Sequence, residues 1–271
     1  MENYSVLMSV YDGEKPENLR LSVSSIYTQT VPTNDFILMC DGPLTEELDA
    51  VIAELLREHP ETLHVFRLDK KSGLGDALNA GIEKCKNELI ARMDSDDIAV
   101  SNRCQLQLLK FQEHPELAIV GGAIDEFEGD PTNVISHKSM PEAHDDVVRY
   151  ARMRNPFNHP TVMFRKSAVL EVGGYPRRIL HEDYALWANM ILNGVQVCNL
   201  PDTLCYMRVD EGLYERRGGF KYLKLAIKLR WHLYKTGLYT FWCFLCVSAV
   251  LTVMCLIPVS VRRAAYRFFL R

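Results

Sequence analysis

Residues 88–97 read Glu-Leu-Ile-Ala-Arg-Met-Asp-Ser-Asp-Asp. An apolar run of strand length stops at Asp94-Ser95-Asp96-Asp97, so the chain passes there from a buried strand into a turn that carries carboxylates one residue apart. Such a pair at a strand end can converge on a hard divalent cation that keeps several waters and bridges diphosphate oxygens. Ordinary solvated loops also contain triplets of this kind, and the surrounding sequence decides between the two.

Three further strand-like segments lie upstream, Tyr4–Tyr11, Asp35–Asp41 and Leu63–Leu68, and each is followed by a helix-period stretch. Pro16 suits the first turn of one helix, Thr45 with Glu46 and Glu47 opens a second, and Gly73 and Gly75 introduce a third whose apolar face holds Leu78 and Ile82. Ser101 is placed to cap a fourth helix running to His114-Pro115. Strands alternating with helices require right-handed crossovers and a parallel sheet, which binds ligands at the carboxyl ends of its strands. Asp12, Asp41 and Asp94 all stand at or just past such ends. Any one of them is explained as a turn opener or helix cap, but three together mark a site.

Beyond residue 100 the pattern is mixed, with strand-like Leu117–Phe127, Val134–His137 and Thr161–Phe164 and helical stretches near 143–154 and 184–193. No linker, repeat or low-complexity tract interrupts it. The predicted organisation is one α/β domain over residues 1–215, with halves 1–100 and 101–215, followed by a tail, 216–271.

The 271-residue chain, 48% apolar and 24% charged, is ordinary for a globular protein and excludes disorder and a small disulfide-stapled scaffold. Its net charge of −4 hides an asymmetry: residues 216–271 carry 11 Lys/Arg and no Asp/Glu, against 20 basic and 35 acidic residues before them. A basic, apolar tail on an acidic body points to anionic membrane lipids and away from nucleic acid. Within the tail, Phe220, Leu223, Ile227, Trp231 and Tyr234 alternate with lysines at helical spacing, which predicts a basic amphipathic helix over 218–235. Residues 236–261 then hold no charge, and 17 of the 20 residues from Leu238 to Ile257 are apolar, enough to predict membrane insertion. Basic residues flank the run on both sides, so the positive-inside rule favours a re-entrant hairpin, broken near Pro258, over a single span; a second amphipathic helix is expected over 259–271.

The eight cysteines lack the spacing of a zinc site or a secreted disulfide framework, and Cys243-x-x-Cys246 lies in the apolar run, where packing explains it. The first residues enter a strand without a basic segment and apolar core, which predicts no secretory signal and a cytoplasmic body.

Four motifs in order, Ser9-Val10-Tyr11-Asp12, Cys40-Asp41-Gly42, Gly73-Leu74-Gly75-Asp76-Ala77-Leu78-Asn79-Ala80-Gly81-Ile82 and Met93-Asp94-Ser95-Asp96-Asp97, resemble the signature of family-two glycosyltransferases. His159-Pro160-Thr161, Phe164-Arg165-Lys166, Gly173-Gly174-Tyr175 and His181-Glu182-Asp183-Tyr184-Ala185-Leu186-Trp187 are similar to the acceptor half of bacterial polysaccharide members. The resemblance covers residues 4–208. It implies a glycosyltransferase A fold, a nucleotide-sugar donor, a divalent cation (Mg²⁺ or Mn²⁺) and inversion by direct displacement. Carried over, Asp41 contacts the nucleotide base, Asp94 the ribose, Asp96 with Asp94 the metal, and Asp183, paired with Glu182, is the general base. Ser9, Tyr11, Asp12 and Ser95 join the donor side, and His159 and Trp187 the acceptor side. Asp12 replaces the family's usual Asn, and Cys40-Asp41 its double aspartate, with the matching Asp41 kept.

The chemistry of the residues agrees. A sugar hydroxyl is a poor nucleophile, so a carboxylate must take its proton while a cation neutralises the departing diphosphate. Asp94/Asp96 and Glu182/Asp183 supply those two acidic centres, although Glu182-Asp183 also suits a helix N-terminus through the dipole. Lys70 or Lys71 can assist the diphosphate. Trp187, at helical spacing from Tyr184 and Ile191, also suits the core. The expected function is transfer of one sugar, from a UDP-hexose, to a polyprenyl-diphosphate-linked saccharide during bacterial surface polysaccharide assembly at the cytoplasmic face of the membrane. A bare polyprenyl phosphate acceptor and a non-catalytic scaffold are the alternatives.

Overall fold

The computed structural model describes residues 2–177, 179–209, 218–258 and 261. Four strands, β1 (Tyr4–Val10), β2 (Asp35–Cys40), β3 (Leu63–Arg67) and β4 (Leu89–Asp94), form a parallel block in the order β3-β2-β1-β4. Helices α1 (Pro16–Tyr27), α2 (Glu46–Glu58) and α3 (Leu74–Lys84) make the crossovers. β2 is buried along its whole length, as a central parallel strand covered on both faces must be. Thr45 caps α2 by accepting from the Leu48 amide.

The sheet continues without a break into the second half, so residue 100 marks no gap in it. Strand β5 (Ile98–Ala99) and helix α4 (Arg103–Glu113) lead to β6 (Leu117–Phe127), β7 (Val134–Lys138), α5 (His144–Ala151), β8 (Met163–Arg165), α6 (Lys166–Glu171), α7 (Glu182–Leu192) and β9 (Gln196–Arg208). β8 is antiparallel to both β4 and β6, and β9 runs parallel to β6. The cap expected at Ser101 falls to Asn102, which makes no side-chain cap; α4 is anchored instead by buried Arg103, which donates to the Arg92 carbonyl oxygen at 2.7 Å.

Strand β9 has no counterpart in the sequence reading. Pro201-Asp202 interrupts its alternation, and the register against β6 shifts between Gly122 and Ala123, so neither half shows a clean strand period.

The tail departs most from expectation. Its first helix, α8 (Gly219–Lys235), buries Ala226, Leu229 and Leu233, a different face from the one predicted; Phe220 is 78% exposed. Leu229, Leu233, Leu238 and Tyr239 join the same core cluster as Trp187 and Tyr184, so the tail shares the core of the second half. Tyr239 fixes the turn after α8 by bonding to the Tyr184 hydroxyl at 2.9 Å. The uncharged run forms α9 (Phe241–Leu256), which folds back on α8 with Phe244 against Trp231 and Tyr234. At 16 residues α9 is about 24 Å long, short of the about 30 Å hydrocarbon core, and no described helix is long and apolar enough to cross a membrane. The re-entrant hairpin expected to break near Pro258 is corrected in place: the chain turns between α8 and α9, after Lys235, because the apolar run gives one side to packing against α8 and the domain. Apart from Val261, the 259–271 helix lies outside the described residues, as does the boundary at residue 215.

All eight cysteines are free thiols; Cys243 donates to the Arg152 carbonyl oxygen, and Cys246 is exposed.

Candidate active site

Because β1, β2 and β4 are parallel neighbours, their carboxyl ends gather Asp12, Asp41 and Asp94 on one edge of the sheet, with Ser9 in register beside Asp94. Asp41 is buried, and its two oxygens accept from the Ser72 amide at 2.7 Å and the Gly73 amide at 3.0 Å. It thereby holds the loop that starts α3. Gly42 takes φ +91°, and a Cβ there would stand 2.7 Å from the Lys71 amide nitrogen, so only glycine lets the two loops touch. Lys71 reaches back to Asp12 at 2.5 Å and lies over the Tyr11 ring at 4.6 Å. The Lys71 pairing draws the Asp12 carboxyl below its ordinary value.

The sequence reading passed over Arg92. Two residues before Asp94 in β4, it falls on the same face, is 1% exposed, and grips both oxygens of Asp94 with its guanidinium. A lone charge inside an otherwise apolar strand was the available signal. Arg92 is the cation at the centre of a carboxylate cluster, lowering the proton affinities of Asp96, Asp97 and Glu182. Even so, burial, Asp94 and Glu14 push Asp96 up to about 7. Burial and the neighbouring aspartates also raise Asp97, which accepts from the Arg208 amide at 2.8 Å and so ties β9 to the acidic turn. Ser95 faces Glu14, donating at 3.0 Å.

His181 has φ +56°, the only positive φ outside glycine among the described residues. This left-handed turn starts α7 and sends its two acids to different places. Glu182 packs against Gly75 of α3, where an added Cβ would meet its Cγ at 3.2 Å, and burial raises its carboxyl. Asp183 instead lines a cleft of about 590 Å³ together with Asp94 and His159, and accepts from the Asn155 side chain at 2.6 Å. Asn155 was also missed; it sits in the polar run Asn155-Pro156-Phe157-Asn158 just before the motif at His159. His159 bonds to the Tyr175 hydroxyl at 2.9 Å, and burial, then Arg92, hold its imidazole well below the usual range, so it is neutral.

Trp187 does not reach the cleft. Fully buried against Phe157, His159, Phe164 and Tyr175, it backs the site, which corrects the expected acceptor contact: from its place in α7 the ring points to the core.

Among the described residues no group of three His/Cys/Asp/Glu side chains converges as a metal cage. The donor chemistry still suits a divalent cation at Asp96, a carboxylate whose proton affinity is raised first by burial and then by Asp94 and Glu14, and such ions are commonly held by one or two carboxylates plus substrate phosphates. The Asp94 oxygens are engaged by Arg92.

A parallel half-sheet ending in carboxylates, joined through antiparallel strands to a half that presents a second acid pair, is the layout of a sugar-nucleotide transferase with the glycosyltransferase A fold. The chain belongs to glycosyl transferase family 2, whose model matches residues 5–173. It is 39% identical over 226 residues to the amylovoran biosynthesis glycosyltransferase AmsE of Erwinia amylovora, covering 83% of this chain and 84% of that protein. It is 35% identical over 268 residues to a UDP-Gal:alpha-D-GlcNAc-diphosphoundecaprenol beta-1,3-galactosyltransferase of Escherichia coli, covering 99% and 96%. A mannosyltransferase from Pyrobaculum calidifontis, solved with GDP-Man and Mn²⁺, superposes with a TM-score of 0.66 at 14% identity, covering 98% of this chain and 79% of that one.

Proposed function

We propose that the protein is an inverting, membrane-attached transferase that moves a sugar from a UDP-hexose to a polyprenyl-diphosphate-linked saccharide in bacterial surface polysaccharide assembly, with Asp183 as general base. The observation that carries this is a cleft shared by Asp94 at the donor strand end and Asp183 on its wall. The galactosyltransferase relative, similar along nearly its whole length, supports the donor and acceptor classes.

Asp183 takes the proton of the attacking acceptor hydroxyl as that oxygen bonds to the anomeric carbon and the nucleoside diphosphate leaves from the opposite side, which inverts the centre. Asn155 donates to one Asp183 oxygen at 2.6 Å, leaving the other for the hydroxyl. On the donor side, the loop held by Asp41 and Gly42 carries Lys71 and faces Tyr11. Asp96, with Asp94, would hold a divalent cation, which would supply neutralisation of the charge on the diphosphate.

Attachment to the cytoplasmic face rests on α9. Phe241, Trp242, Leu245, Ala249, Val250, Val253 and Leu256 form one exposed stripe without a charge, suited to lying in the interface, while the lysines of α8 suit anionic head groups.

The test is transfer by detergent-solubilised protein from a panel of nucleotide-sugars to a prenyl-diphosphate-linked saccharide, for wild type and Asp183→Asn. Loss of a general base lowers turnover by about 10²–10⁴-fold. Donor binding, read by calorimetry, should be retained. Wild-type turnover in Asp183→Asn removes Asp183 as the base, and donor binding without transfer to any acceptor supports the scaffold alternative.

A further inference from the structure

The cleft does not end at the acids. From Asp94 and Asp183 it runs to Val247, Val250, Leu251 and Met254 on α9, so its far wall is apolar and belongs to the tail helix. Arg154 and Arg230 line it as well; Arg154 precedes Asn155, the partner of Asp183, and Arg230 lies beside Tyr184, the residue after Asp183. Arg230 comes from α8 and lies 5.5 Å from the Tyr184 ring, with Nε and Nη1 buried and without a hydrogen-bond partner among the described residues. A guanidinium enclosed with unused N–H groups is unfavourable unless something anionic meets them, and its planar fork matches phosphate oxygens.

Resting on the function proposed above, we infer that Arg230, flanked by Arg154, binds the diphosphate of the lipid-linked acceptor, and that the Val247, Val250, Leu251 and Met254 face of α9 receives the first prenyl units. One cleft thus brings together the groups such a molecule needs: Asp183 for the sugar hydroxyl, the arginines for the diphosphate and α9 for the hydrocarbon. The exposed apolar stripe of α9 adjoins this face and shares Val250 with it, so the prenyl chain passes from protein wall to bilayer along one helix. The tail thus acts as part of the acceptor site as well as an anchor.

Farnesyl diphosphate is a suitable probe, since it carries the diphosphate and prenyl parts without a sugar. Binding is measured by calorimetry on the full chain in detergent, independently of turnover, for wild type, Arg230→Met, Arg230→Lys and Leu251→Asn, each checked for folding by thermal unfolding. Loss of charge-assisted hydrogen bonds predicts at least about tenfold weaker binding for Arg230→Met, with partial recovery in Arg230→Lys. Leu251→Asn should weaken farnesyl diphosphate while leaving inorganic diphosphate unchanged. UDP binding should stay within about twofold in all variants. Absence of wild-type binding, or equal binding by wild type and Arg230→Met, overturns the inference. A loss of UDP binding in Arg230→Met reassigns the arginine to the donor. Vesicles containing phosphatidylglycerol separate a head-group role: if Arg230→Met weakens vesicle binding and leaves farnesyl diphosphate untouched, the arginine serves the membrane. Farnesyl diphosphate binding without sugar transfer keeps this inference and fails the function proposed above.

Discussion

Replacing Arg92 by methionine keeps most of the buried volume and removes a cation that meets Asp94, Asp96, Asp97 and Glu182. The Arg92 side chain is 1% exposed and that of Asp94 31%. Breaking a buried ion pair by deleting one partner costs about 3–5 kcal/mol; water reaching Asp94 recovers part, which places this variant near about 3 kcal/mol. For a chain of this size that corresponds to a fall of about 6–12 °C in Tm. The loss should depend on pH. Asp96 and Glu182 already have folded-state proton affinities above their ordinary values, and without Arg92 these rise further. A raised carboxyl favours the folded state while it stays protonated and loses that contribution as pH climbs from the ordinary carboxylate range through the folded value, about 7 for Asp96 in the wild type. The variant should therefore lose more at pH 8 than at pH 5, where only the direct pair with Asp94 is missing. Thermal unfolding of both proteins at the two pH values, without divalent cation, is the assay. An equal loss at both, or a change below about 3 °C, refutes the assignment of Arg92 as the cluster's counter-charge.

The same cluster predicts that a divalent cation competes with a proton at Asp96, so Mn²⁺ affinity measured by calorimetry should rise from pH 6 to pH 8 and lose that dependence in Asp96→Asn; a flat profile in the wild type counts against Asp96 as ligand. Gly42→Ala forces a side chain into φ +91° and against the Lys71 amide, so it should raise the donor KM more than it lowers kcat, at a stability cost of about 1–3 kcal/mol. Leu233→Ala in α8, at a fully buried site, should destabilise the whole protein by about 2–5 kcal/mol, and removing residues 216–271 should abolish folding; a stable, soluble truncation would show that the tail is no part of the core.

Much of the donor half was legible because its physics is local. Parallel strands buried on both faces read as apolar runs, and Asp41 and Asp94 stand at their ends whatever the rest of the chain does. Leu117–Phe127 was legible for the same reason, as a run buried at every position but Asp125. Strand β9 was not, since Pro201 breaks its period and the pairing with β6 is what makes it a strand. In the site, Glu182 and Asp183 are adjacent in sequence, and nothing local separates their roles; the left-handed His181 turn directs one to α3 and the other to the cleft.

The sequence by itself determined the alternating α/β half, the acidic strand ends and an apolar, basic tail, because strand and helix periods and strand-end chemistry depend on near neighbours. Only the tertiary structure decided that Arg92 neutralises Asp94, that Trp187 backs the site, and that the tail shares the core and walls the cleft. These follow from contacts between residues far apart in the chain, where burial and charge are set by whichever partners the fold brings together.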